Sequence, residues 1–381
     1  MDRRRFLRLA GGGVVLAAAG GAVGFVATRT PHAALAPWEM AGSQSDDPRI
    51  KALSYAILAP NPHNRQPWIA DLRVPGEISL SADTARRLPH TDPFDRQITI
   101  GLGCFIELLA MAAAEDGYRL DVDLMPDGEN GNRLGSERVA RARFVKDDAA
   151  RPDPLFAHVL ARRSNKEPFD TARAISEAAL QTMLESAREL SWVGGTVEEA
   201  EITAWRALTS EALEIEIRTP RTYRESVELF RIGRREIEAN PDGIDFSGPL
   251  FETLALAGQF DRETLLDPTS SAFRQGLDTV LANPASAMGF VWLVTPANNR
   301  ASQIGAGRDW VRLNLAATGL GLGFQPLSQA LQEYREMESL YRAVHERLAP
   351  EGGTVQMLTR IGYGPQVGPS PRWPVEARII T

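Results

Sequence analysis

Apolar positions along this chain change period repeatedly, and each change marks an element. From residue 48 onward, helical and strand-like patterns alternate. Arg49–Ala59 reads as an amphipathic helix. Trp68–Val74 and Glu77–Ser81 read as strands joined at Pro75-Gly76. Ile98–Asp116 is apolar on every side, as a buried helix is, and Gly117 ends it. Val139–Val145 reads as another strand. A second series opens at Asp153, which is placed to cap a helix with Pro154 at its first position, running to about Arg163. Ser176–Leu190 continues as a helix, Ala287–Val294 as a buried strand, Gln303–Thr318 as a long helix and Thr354–Gly362 as a strand.

The two series share an internal repeat. "IGLGCFIELLAMAAAEDG" (100–117) and "IGAGRDWVRLNLAATGLG" (304–321) coincide at seven of eighteen positions, including the I-G-x-G opening and the closing Gly. Two unrelated buried helices could share some of these common residues, but the ordered opening favours a duplicated unit. The halves would then resemble the subunits of a symmetric dimer. This divides the chain into 1–36, a first half at 37–150 and a second at 151–381. The second half is longer by a helical, polar insertion at about 197–284, which suits a cover over a site.

Charge and composition narrow the picture. Without the five arginines and one aspartate of residues 1–36, 37 basic residues stand against 48 acidic, a net charge of −11. So acidic a body argues against nucleic acid as partner. One cysteine, Cys104, excludes an intrachain disulfide, and the five histidines are scattered. The N-terminus has a basic start, a Gly/Ala/Val-rich middle and small residues at Ala33–Ala36, the layout of an export signal. Arg3-Arg4-Arg5-Phe6-Leu7-Arg8 resembles the twin-arginine form, with Asp2 where serine or threonine is usual. The twin-arginine translocase would be a partner during export, to the periplasm or the outer face of the cytoplasmic membrane. Leu9–Ala27 is about long enough to remain as an uncleaved anchor, the alternative reading.

The chemistry gathers at "ILAPNPHNRQPWIADLRV" (57–74). Asparagine and glutamine amides both donate and accept hydrogen bonds, which suits a ligand edge of alternating donors and acceptors. Prolines pre-order the loop, and Trp68 supplies buried area beside it. A Pro-rich turn before a strand is the plainer reading. Pro60-Asn61-Pro62-His63-Asn64-Arg65-Gln66-Pro67-Trp68 resembles the Asn-x-Gln-Pro-Trp loop of the nitroreductase family, and in particular its fused, double-length, Acg-type branch. Asn61 and Pro62 stand where serines are common; Asn64, Gln66, Pro67 and Trp68 match directly.

A second segment, Arg162-Arg163-Ser164-Asn165-Lys166, is similar to the family's Arg-x-Ser-x-Arg/Lys run. By resemblance, Arg162, Ser164 and Lys166 would serve the phosphate, ribityl chain and ring pole of flavin mononucleotide (FMN). Arginine suits bidentate contact with phosphate. Helical spacing would favour Arg162 and Lys166 over Arg163. Read alone, the run is equally a solvated helix end. "GLGFQPLSQ" (321–329) resembles the stretch whose backbone reaches the flavin N5, with Pro326, Ser328 and Gln329 as contacts, although the usual acidic-glycine pair is absent. In the closing "RIGYGPQVGPSPRWP", Arg372 is either the phosphate-binding basic residue or a surface arginine.

Each motif occurs once, and in opposite halves. The resemblance therefore implies an α+β nitroreductase-like fold, a monomeric pseudo-dimer with a mixed sheet flanked by helices in each half, and one FMN between the halves. It also implies an FMN-dependent oxidoreductase that passes hydride or electrons through N5 to a small acceptor such as a nitro compound or quinone, with NAD(P)H as a donor. No side chain is singled out as catalytic and no metal is expected. The rival reading is a protein that stores FMN under a cover without turnover.

Overall fold

The computed structural model describes residues 29–381, apart from 44, 130, 189 and 259. The export-signal reading therefore falls mostly outside the described residues. A short helix α1 (His32–Glu39) leads into α2 (Pro48–Ala56), which starts on the side chain of Asp47 accepting from Arg49 N–H, with Pro48 at the first helical position. The first half continues with β1 (Trp68–Asp71), β2 (Glu77–Ala82), α3 (Arg96–Glu115), β3 (Tyr118–Leu124) and β4 (Arg138–Lys146). The second half has α4 (Glu177–Leu184) and β5 (Trp192–Thr196). Between β5 and the next strand of its sheet lie α5 (Glu199–Arg218), α6 (Pro220–Glu228), β6 (Phe230–Ile232), α7 (Gly233–Ala239), β7 (Ile244–Phe246), α8 (Pro249–Leu256), α9 (Arg262–Leu266) and α10 (Ser271–Ala285). The core then resumes with β8 (Gly289–Thr295), α11 (Arg300–Gly319), β9 (Gly323–Pro326), α12 (Glu338–Leu348) and β10 (Thr354–Gly362), and β11 (Ile379–Ile380) ends it.

The two sheets repeat one topology. The first runs β1-β2-β4-β3 and the second β5-β8-β10-β9, antiparallel at every step. In each, the long central helix joins the second strand in the order to the last. The first half closes the link between its first two strands with a short turn after Asp71. The second half places α5–α10, with the small parallel pair β6-β7, in the same link.

The helices α3 and α11 cross where both backbones are bare. A Cβ on Gly103 would stand 2.2 Å from the Ile304 carbonyl oxygen, and one on Gly307 would stand 2.0 Å from that of Ile100. Ile100 and Ile304, like Gly103 and Gly307, are equivalent in the repeat. The contact is therefore reciprocal, as across the two-fold axis of a dimer. One apolar cluster runs through both halves, from Leu53 and Phe105 to Leu313 and Phe324. The fused halves are a pseudo-dimer with a common core. The chain end crosses back, and β11 pairs parallel with β1.

Two expected helices are shorter than the pattern suggests. Residues 154–158 make one 3-10 turn, and Arg162–Lys166 is not helical, because Asn165 N–H donates to the Phe324 carbonyl on the free edge of β9 at 3.0 Å. Helix α4 stops at Leu184, well before Leu190. The backbone N–H groups of Arg188 and Ser191 are taken by the buried carboxylate of Asp309 at 2.7 and 2.8 Å.

Candidate functional site

The loop that follows α2 is shaped by its own amides. Pro62 opens a 3-10 turn, and His63, Asn64 and Gln66 hold φ of 47°, 50° and 50°. Three side-chain-bearing residues in the left-handed region within four positions carry a cost of order 1–3 kcal/mol each, which surrounding contacts must hold. Asn61 Oδ1 accepts from Gln66 N–H at 2.7 Å, while Asn61 Nδ2 donates to the Ala59 carbonyl. Gln66 is fully buried. Its Nε2 donates to the Pro241 carbonyl at 2.7 Å, and its Oε1 accepts from Trp373 N–H at 2.9 Å. Asn64 Nδ2 donates to the Pro371 carbonyl, and Asn64 Oδ1 accepts from Arg372 at 2.6 Å. Gln66 thus ties the loop to both the insertion and the C-terminal tail. Pro60 is buried where the loop leaves α2.

Arg372 and Arg162 converge on the same place from the other half. Arg372 is buried and gives all its donors to protein acceptors: the carbonyls of Ile57, Leu58, Ala59 and Pro371, and Asn64. Arg162 donates to the Leu58 carbonyl and to Asn314 Oδ1, both at 3.1 Å. Two guanidiniums thus sit on the carbonyls at the C-terminal end of α2, where the helix dipole favours cations. Arg163 lies beside them. The three guanidinium carbons stand 5.9 Å (Arg162), 4.6 Å (Arg163) and 5.4 Å (Arg372) from the ring of Trp38 on α1. Small residues read above as the end of an export signal belong to that helix, and Ala34 accepts Arg372 N–H.

This arginine cluster has no ion pair among the described residues. Burial pushes Arg162 down to about 10, with Arg163 adding repulsion, and Arg372 down to about 9, with Arg162 adding repulsion. The Nε groups of Arg162 and Arg163 are buried without an acceptor. Ser164 and Lys166 make no side-chain hydrogen bond or ion pair within the described residues. Lys166 is exposed, and its charge reaches His63 and Asp245. Arg360, buried in β10, holds this segment by donating to the Asn165 and Glu167 carbonyls at 3.3 and 2.7 Å.

The insertion closes over the loop. Ser226 on α6 meets His63 Nε2 at 2.9 Å, and Gly243 N–H donates to the Asn64 carbonyl at 3.2 Å. Asp242 pairs with Arg65, Arg86 and Arg231, and Glu225 accepts the backbone N–H groups of His90 and Thr91. Burial, then Lys166 and Arg65, lower His63 to about 4, so the ring is neutral at pH 7. Burial raises the Asp245 carboxyl of β7, against the pull of Lys166 and Arg372.

The remaining expected contacts sit apart from this cluster. Pro326 ends β9. Ser328 bonds the backbone of Leu358 in β10, and Gln329 faces Glu216 on α5. Trp38, Arg360 and Asp245 carried no local signal in the sequence, because each reaches the site from a distant segment.

A matching place exists across the pseudo-two-fold axis. Gly101 faces Asn61 of the first loop, and its repeat mate Gly305 faces Leu190, with added Cβ atoms at 3.1 and 3.3 Å. There, Arg188, Arg308 and Arg312 surround the buried carboxylate of Glu107 at 2.6, 2.8 and 3.0 Å. Asp153 also takes Arg312 at 2.6 Å.

The molecule is a two-halved α+β pseudo-dimer with a cationic seam between its halves that has no ion pair among the described residues. The chain is similar to proteins named as nitroreductases. It is 24% identical over 347 residues to the Mycobacterium tuberculosis protein "Putative NAD(P)H nitroreductase Rv3131", covering 85% of this chain and 91% of that one. A second protein of that organism, "Putative NAD(P)H nitroreductase acg", is 31% identical over 121 residues, 31% of this chain and 34% of the other. No family model matches the chain. Among solved structures, the FMN-dependent nitroreductase NfnB of Mycobacterium smegmatis in complex with NADPH aligns with a TM-score of 0.29 at 21% identity, over 53% of this chain and 84% of that one. An FMN-bound nitroreductase from Bacteroides fragilis gives 0.32 at 13% identity, over 57% and 91%.

Proposed function

We propose that this protein is an FMN-dependent oxidoreductase of the nitroreductase type, binding one FMN in the seam between its halves. The observation that carries this is the arginine cluster of Arg162, Arg163 and Arg372. Arg162 and Arg163, each with an unaccepted Nε–H and no ion pair among the described residues, fit a phosphate, and Arg372 adds positive charge beside them. The free Ser164 hydroxyl and Lys166 ammonium lie on the same segment and suit the rest of a flavin nucleotide. FMN, when bound, supplies hydride or electron transfer through its N5. Arg162, Arg163, Ser164 and Lys166 are the residues proposed to hold it. Arg372, Asn64 and Gln66 fix the loop and the tail around it. Neutral His63 leaves Lys166 as the cation on that side, where it would favour negative charge on the ligand.

The donor proposed is NAD(P)H, in line with the names of the homologues, and the acceptor a small nitro compound or quinone. Export by the twin-arginine route remains our proposal from residues 1–36, with cell fractionation as its check. The division at 150/151 and the role of 197–284 as a cover are proposed with it. The test of the main reading is the visible spectrum of the purified chain. One flavin per chain is expected; a colourless protein that cannot be loaded with FMN refutes it.

A storage protein is the second reading, favoured by the contacts of Ser226, Pro241 and Gly243 that close the loop. Steady-state reduction of a quinone with NADPH, beside the same assay with dithionite, separates them. Bound flavin with no quinone reduction above the protein-free rate from either donor supports storage.

A further inference from the structure

We infer that helix α1 is part of the phosphate seam and that Trp38 is a positioning residue for Arg162, Arg163 and Arg372. The inference rests on the flavin-nucleotide reading and deepens it. Trp38 is 6% exposed, and its indole Nε1–H is fixed to the Ser370 carbonyl at 2.8 Å. The carbonyl of Ala34, one turn earlier, accepts Arg372 N–H at 2.9 Å. The ring is therefore anchored to the tail that carries Arg372, and the other two guanidiniums stand within 6 Å of it.

The physical need is specific. Three like charges set together out of water repel one another, and something must offset that before an anion arrives. A carboxylate would do so by taking the N–H donors, as Glu107 does among Arg188, Arg308 and Arg312. An indole face offers negative charge density without accepting a conventional hydrogen bond. On Arg162 and Arg163 it leaves donors open, their buried Nε groups being without acceptors among the described residues, whereas Arg372 already donates to carbonyls and Asn64. The ligand this suits is a phosphate monoester dianion, as on FMN.

The test compares FMN with riboflavin, which lacks the phosphate, by quenching of flavin fluorescence in the full chain. Trp38→Leu should weaken FMN binding about tenfold, the upper part of the cation–π range. Riboflavin binding should stay within about twofold, and Trp38→Phe should restore most of the loss. An equal loss for both flavins, no loss for FMN, or a Phe variant no better than Leu overturns the inference. Should Trp38→Leu not fold, Trp38→Phe carries the test alone. A small loss for FMN at unchanged riboflavin binding supports the role, and unchanged FMN binding overturns it. A wild-type chain that binds neither flavin refutes the flavin reading itself, and this inference with it.

Discussion

Asn61 and Leu190 occupy equivalent places in the two halves, each packed against a glycine near the start of a central helix. One lies beside three arginines that make no ion pair among the described residues, with the Asp245 carboxyl acting on Arg372 only through its field. The other lies beside three arginines gathered on Glu107. The repeat shows where they diverged. Glu107 has Val311 as its mate, and Arg308 has Cys104, whose thiol lies in the field of Arg162. Duplication supplied two seams. The carboxylates of Glu107 and Asp153 take up the arginines of one, and no ion pair among the described residues does so in the other. Similar numbers of arginines can therefore be held in different electrostatic settings, depending on what acceptors surround them.

Removing the carboxylate is the strongest way to break the contrast. Glu107→Ala leaves Arg188, Arg308 and Arg312 facing each other around a buried gap, although Arg312 keeps Asp153. A loss of about 3–5 kcal/mol in unfolding free energy is expected, the range for breaking a buried pair. Denaturant unfolding measures it, and a loss below about 1 kcal/mol would show that the knot is not structural.

The open seam should respond through binding more than through folding. Arg162→Ala should weaken FMN binding by about 1.5–3 kcal/mol, the scale of a hydrogen bond to a charged group. Titration with FMN checks it, and equal affinity in both proteins would make this arginine a purely structural cap on α2.

Acid should act on the open seam through His63. Its ring stays neutral to about pH 4, whereas in the unfolded chain it protonates near 6.5. The unfolded state thus binds more protons between these values. The stabilising contribution is present above pH 6.5 and is lost as pH falls toward 4. His63→Gln should therefore lose less melting temperature than wild type between pH 7 and pH 4.5. Parallel melting profiles would show that His63 is not held neutral.

The smallest effect expected is from Leu190→Asn, which copies Asn61 into the closed seam. Leu190 is 43% exposed, so stability should move by no more than about 0.5 kcal/mol. The flavin stoichiometry should stay at one per chain, because Glu107 still occupies the arginines. A rise to two would mean that the loop, and not the carboxylate, decides where the ligand binds.

The sequence by itself determined the elements whose information is local or repeated. The strand Thr354–Gly362 matches its expected bounds, and the central helices lie within a few residues of theirs, because an apolar run has one way to be buried. The I-G-x-G repeat carried the pseudo-dimer, since glycines there serve a backbone contact that leaves no room for a side chain. The Arg162–Lys166 segment stood out in the sequence as a basic run, but its shape was not legible there. Its helical spacing was overridden by pairing with the edge of β9, a partner some 160 residues away in sequence. Tertiary structure alone decided what faces the arginines. Trp38, Arg372, Asp245 and Glu107 lie in four distant stretches, and whether a buried cation meets a ring, a carbonyl or a carboxylate depends on distances that no sequence period encodes.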